Sequence, residues 1–140
     1  MTTTQTILIV DDNALLLEML EEVFIYEGFH VLKANNGRAA FELIQSHSNI
    51  DVVLSDVQMM GGDGIELMKK LYAFDHPQKP GLILSTGNAQ SLGFSPTEYN
   101  VLAIHEKPID YQDLIVIIRE YGKKRRGLPQ AEAGQAPATF

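Results

Sequence analysis

The 140-residue chain contains no cysteine and no tryptophan. Without thiols there is no disulfide framework, no thiolate metal site and no cysteine nucleophile. No apolar run approaches the roughly 20 residues of a membrane span. Met1–Thr6 lacks the basic-then-apolar pattern of a signal peptide, and neither a P-loop nor a dinucleotide glycine fingerprint occurs. Net positive charge is lacking too, since the chain carries −7. Residues 1–121 hold 7 Lys/Arg against 17 Asp/Glu, a net −10, whereas residues 122–140 hold 4 against 1, a net +3. An acidic body repels nucleic-acid phosphates and suits a bound cation. The expectation is a cytoplasmic domain with no membrane and no nucleic-acid partner.

What is present reads as one domain with a core, because 45% of residues are hydrophobic and the length fits a single unit. Apolar runs with strand character alternate with helical stretches. Ile7–Val10, His30–Ala34, Asp51–Ser55, Leu82–Ser85 and Val101–Ile104 read as five strands. Asn13 can cap a first helix with a core stripe of Leu16, Leu20, Val23 and Phe24, ended by Gly28. Asn36-Gly37 opens a second helix, with Ala40, Leu43 and Ile44 on one face. Asp63 with Glu66 opens a third, and Asp110 caps a last one carrying Leu114, Ile117, Ile118 and Tyr121. Leu114–Ile118 is apolar throughout, so Ile115 or Val116 is expected to face outward. Repeated strand–helix alternation predicts an α/β domain with a parallel sheet. Between the fourth and fifth strands, Gly93 and Pro96 fall where a crossover helix should sit. They cost about 1 and 3 kcal/mol in a helix, so that fourth helix is expected to be short or irregular. Residues 1–5 and 122–140 are expected to be disordered.

In an open parallel sheet, ligands bind beyond the carboxyl ends of the strands. There stand Asp11 and Asp12, then Asp56, then Ser85-Thr86-Gly87, then Lys107-Pro108. Three carboxylates in one cleft disfavour one another's ionisation unless a cation neutralises them, and oxygen-only ligands suit Mg²⁺. A metal, a lysine and a hydroxyl donor around one carboxylate make a phosphoryl-transfer site with that carboxylate as nucleophile.

The chain resembles the receiver domains of two-component response regulators, the family of the chemotaxis response regulator. The resemblance covers about residues 6–121. It rests on Val-Asp-Asp-Asn after the first strand, Leu-Ser-Asp-Val-Gln-Met around Asp56, Ser-Thr-Gly at the fourth strand and Lys-Pro at the fifth. It implies a doubly wound, flavodoxin-like sheet of order 2-1-3-4-5 with helices on both faces. It also implies that Asp56 is the phosphoacceptor, and that Asp11, Asp12, Asp56 and the backbone carbonyl of Gln58 bind Mg²⁺. Thr86 and Lys107 would contact the phosphoryl group, with Lys107–Pro108 cis. The sequence departs from the family's usual pattern at Met60, where proline is usual, and at Ile104, where an aromatic is usual.

The leading reading is a stand-alone receiver that is not a turnover enzyme. It would take its phosphoryl group from a histidine kinase or a histidine phosphotransfer protein. It would signal to a downstream protein as a monomer or a phosphorylation-dependent dimer. One alternative is a receiver excised from a hybrid kinase or longer regulator. Others are an aspartyl-phosphate phosphatase, whose Asp-x-Asp spacing is not met by the adjacent Asp11 and Asp12, and a pseudo-receiver used only for binding.

Overall fold

The computed structural model describes residues 4–59 and 63–125. Met60 and residues 126–140 lie outside the described residues, as do residues 1–3. The chain divides into two compact units, Met1–Ile109 and Asp110–Phe140.

In the first unit, β1 (Thr6–Val10), α1 (Ala14–Tyr26), β2 (His30–Ala34), α2 (Gly37–Ser46), β3 (Val52–Asp56), α3 (Gly64–Ala73), β4 (Gly81–Thr86) and β5 (Val101–Glu106) follow in order. The five strands form one parallel sheet, β2-β1-β3-β4-β5, as the resemblance implied. β1 lies inside the sheet, and all five of its residues are buried. A strand covered on both faces needs an unbroken apolar run. Successive side chains alternate faces. Leu8, Val10, Val53, Leu82 and Leu84 share a cluster with Ala40 and Ile44 of α2 and with Leu67, Met68 and Leu71 of α3. Ile7, Ile9, Val52, Leu54 and Ile83 alternate to the opposite face. There α1 buries Leu17, Leu20 and Phe24, outside that cluster. Each fully buried side chain of this kind contributes about 1.5–3 kcal/mol.

Leu20 and Phe24 of the expected α1 stripe are buried, whereas Leu16 and Val23 are only half-buried and Leu17 is buried in place of Leu16. Asn13 caps α1 by accepting from Leu16 N–H. Gly28, at φ +95°, ends it. Gly28 N–H reaches Ile25 O and Phe29 N–H reaches Phe24 O, which closes the helix in a left-handed cap that favours glycine.

Asp51, expected to open the third strand, falls outside it. It lies just before β3 and is 1% exposed, with Oδ2 accepting Thr6 N–H at 2.8 Å. Its N–H donates to Thr6 O and its carbonyl accepts from Gly81 N–H. Through its carboxylate and its backbone together, this buried residue ties the starts of β1, β3 and β4. Register then runs from Ile7↔Val52 to Val10↔Ser55, so Asp11 and Asp56 emerge side by side.

The crossover from β4 to β5 contains two single-turn 3₁₀ helices, Ala89–Leu92 and Pro96–Tyr99. Gly93 ends the first in the left-handed region and Pro96 starts the second, as their chemistry predicts.

In the second unit, α4 spans Tyr111–Arg125, with Asp110 Oδ1 accepting from Gln112 and Asp113 N–H. Leu114, Ile115 and Ile118 are buried and Val116 is 60% exposed, so Val116 is the outward residue. The helix continues four residues beyond Tyr121, which corrects the expected start of a disordered tail at residue 122. Lys123, Lys124 and Arg125 occupy its last turn, where cations favour the helix dipole. No helix among the described residues is long and apolar enough to cross a membrane.

Candidate functional site

The carboxyl ends of β1, β3, β4 and β5 bring the expected side chains to one edge of the sheet. Asp11, Asp12 and Asp56 each offer a carboxylate oxygen, and these atoms lie within 4.8 Å of one another. Asp11 is buried, Asp12 exposed and Asp56 intermediate. Lys107 Nζ lies 3.3 Å from Asp56 Oδ1. Thr86, 6% exposed, ends β4 one strand away from Asp56, and its Oγ1 accepts Asn88 N–H at 3.2 Å. Lys107 N–H donates to Thr86 O at 2.8 Å, which fixes the lysine backbone beside β4. The Lys107–Pro108 peptide is cis. Gln58 is exposed, two residues beyond Asp56.

Strands 3, 4 and 5 run further than their apolar runs. Asp56 pairs with Ser85, and Thr86 with Glu106, so Asp56 and Thr86 are strand residues and not loop residues. Ladder hydrogen bonds are indifferent to side-chain polarity, and they hold both groups on rigid backbone.

Three oxygen donors of this kind fit Mg²⁺, which takes one or two carboxylates and keeps several waters. The electrostatics agree. Burial is the largest effect on Asp11 and pushes its carboxyl above the usual aspartate range, with the Asp56 and Asp12 charges adding to the rise. The hydrogen bond from Asn13 N–H, 2.9 Å to Oδ1, and the Lys107 charge act the other way. The folded state therefore holds the Asp11 proton more tightly than the unfolded chain. Stability of the metal-free protein rises as pH falls through the interval between the unfolded and folded Asp11 values. Asp11→Asn removes the charge while its side-chain carbonyl can still accept from Asn13. We expect this variant, free of metal, to be more stable than wild type at pH 7 by about 0.5–2 kcal/mol. That advantage should shrink as acid protonates the wild-type carboxyl. Urea unfolding at pH 7 and in mild acid measures it.

Gly64 escaped the sequence reading. A Cβ there would collide with the backbone carbonyl oxygen of Asp56 and sit 3.0 Å from Val57 Cα. Gly64 N–H also donates to Val57 O at 2.8 Å, and Ser55 Oγ donates to the same Asp56 carbonyl at 2.9 Å. The first residue of α3 thus lies directly on the Asp56–Val57 peptide. Gly64→Ala must displace that peptide, and we expect a loss of about 1–3 kcal/mol in urea unfolding.

The family model described as response regulator receiver domain matches residues 7–119. Sporulation initiation phosphotransferase F of Bacillus subtilis (strain 168) is 30% identical over 117 residues, covering 84% of this chain and 93% of that protein. Regulatory protein AtoC of Escherichia coli (strain K12) is 34% identical over 125 residues, and there the matched region is 25% of that protein's length. A solved CheY-like response regulator receiver domain from Methanospirillum hungatei superposes with a TM-score of 0.78 at 25% identity, covering 89% of this chain and 98% of that one.

Proposed function

Since the chain belongs to the response regulator receiver domain family of two-component signalling, we propose that Asp56 accepts a phosphoryl group and that its occupancy is read by a partner protein. The observation that carries this reading is the Asp56 carboxylate itself, within 4.8 Å of the Asp11 and Asp12 oxygens and 3.3 Å from Lys107 Nζ. The donor is a phosphohistidine of a histidine kinase or phosphotransfer protein. An Asp56 oxygen attacks phosphorus, the P–N bond breaks, and the imidazole leaves with the electron pair. Lys107, already engaged with Oδ1, counters the charge brought by the transferred group. Thr86 supplies a hydroxyl donor to a phosphoryl oxygen. Asp11, Asp12, Asp56 and the Gln58 carbonyl would hold Mg²⁺, which when bound neutralises charge on the group in transfer.

A second reading, a receiver within a longer regulator, draws on the AtoC match, where the aligned region is a quarter of the protein. The position of the gene's natural stop codon decides between the two.

Incubation with acetyl phosphate and Mg²⁺ followed by intact-mass measurement tests the proposal. We expect a gain of one phosphoryl group. No gain under conditions that label other receivers would overturn it.

A further inference from the structure

The β4–β5 crossover is weakly built. Neither of its 3₁₀ helices contains a buried residue, and single 3₁₀ turns have poor hydrogen-bond geometry. Its beginning depends on Thr86. Thr86 Oγ1 accepts Asn88 N–H, Asn88 Oδ1 accepts Gln90 N–H at 3.1 Å, and Asn88 O accepts from Ser91 Oγ at 2.9 Å. Its end depends on rings. Tyr99 meets Tyr72 of α3 edge-to-face at 5.4 Å and Phe94 edge-to-face at 5.7 Å. Tyr72 is in turn held from the α3 end. Lys79 Nζ donates to Leu71 O and Tyr72 O, both at 3.1 Å, and lies 6.0 Å from the Tyr72 ring centre. Half-buried Leu92, Phe94, Tyr99 and Ile104 rest on the core cluster that includes Leu71 and Leu84.

Taking Asp56 as the acceptor, the reading on which this step depends, we infer that Tyr99, gripped between Tyr72 and Phe94, is a clasp that holds the crossover in its unphosphorylated arrangement. When Thr86 turns its hydroxyl toward a phosphoryl oxygen, Oγ1 leaves Asn88 N–H and the first 3₁₀ turn loses its anchor. A segment whose two turns hold no fully buried residue opens at low cost compared with the core. The ring pair from Tyr99 to α3 is the contact that must then give way. The phosphoryl group and the Tyr72–Tyr99 pair thus act on one equilibrium in opposite directions. Weakening the pair favours the open form and strengthens binding of a phosphoryl mimic at Asp56. An edge-to-face ring pair corresponds to about a two- to tenfold change in that equilibrium.

The test is the affinity of the full chain for beryllofluoride with Mg²⁺, measured by titration calorimetry for wild type, Tyr72→Leu and Tyr72→Phe. Tyr72 is 48% exposed and outside the acceptor site, so the leucine variant removes the ring without opening the core. We expect Tyr72→Leu to bind about two- to tenfold more tightly than wild type, and Tyr72→Phe, which keeps the ring pair, to match wild type. Unchanged or weaker binding by Tyr72→Leu overturns the clasp, as does an equal shift in Tyr72→Phe. Hydrogen exchange on wild type is a second check that needs no variant. Protection of residues 94–100 should fall when beryllofluoride is added, and unchanged protection there overturns the clasp. Wild type that binds no beryllofluoride would instead refute the acceptor reading, and the clasp with it.

Discussion

Asp56→Asn protein, incubated with acetyl phosphate and Mg²⁺, is expected to gain no phosphoryl mass. The amide keeps the shape of the side chain but offers no anionic oxygen to attack phosphorus. Neither neighbour can substitute. Asp11 is 5% exposed, with Oδ1 committed to Asn13 N–H and its carboxyl biased toward the proton by burial. Asp12 is exposed, while the lysine that would counter a transferred group lies against Asp56. The substitution also relieves repulsion among three clustered carboxylates, so the variant should melt no lower than wild type. Loss of labelling in a fully folded variant separates a chemical role from a structural one. A variant that labels at the wild-type level would show that the acceptor lies elsewhere.

Removing divalent cations should have an effect nearly as large. Asp11, Asp12 and Asp56 place three carboxylate oxygens within 4.8 Å, and a transferring phosphoryl group adds further negative charge to the same cleft. Lys107 supplies one positive charge against this, and its side chain is 38% exposed, so solvent screens it. With chelator present, we expect labelling by acetyl phosphate to fall by about a hundredfold or more, since charge stabilisation by a metal is worth several kcal/mol. Added Mg²⁺ should restore it. Labelling that continues unchanged in chelator would mean that the acidic cluster has another role.

The order of elements was legible because four of the five strands centre on a short apolar run and each of the first three helices begins at a capping residue: Asn13, Asn36 and Asp63 each accept a hydrogen bond from the first turn. The site was legible for a related reason: the acidic, hydroxyl and lysine residues stand within three positions of the ends of the apolar runs. Strand ends were less so. Ladder pairing carries β3 to Asp56 and β5 to Glu106, past the last apolar residue, and no hydrophobic pattern records that. Gly64 was invisible because its requirement comes from the approach of a distant backbone carbonyl, not from its own conformation. Asp51 reads as an ordinary strand-edge acid until its carboxylate is seen to accept Thr6 N–H from 45 positions away. The ring contacts of Tyr99 had no local signal either, since Tyr72 lies on another element.

The most direct test of the central claim is to locate the modification. Phosphorylated protein would be reduced with borohydride, which converts an aspartyl phosphate to homoserine, and then digested and mapped by peptide mass. The account predicts that the peptide containing Asp56 alone carries the change, with the conversion at Asp56. Conversion at Asp11, Asp12 or any other carboxylate, with Asp56 intact, would contradict it.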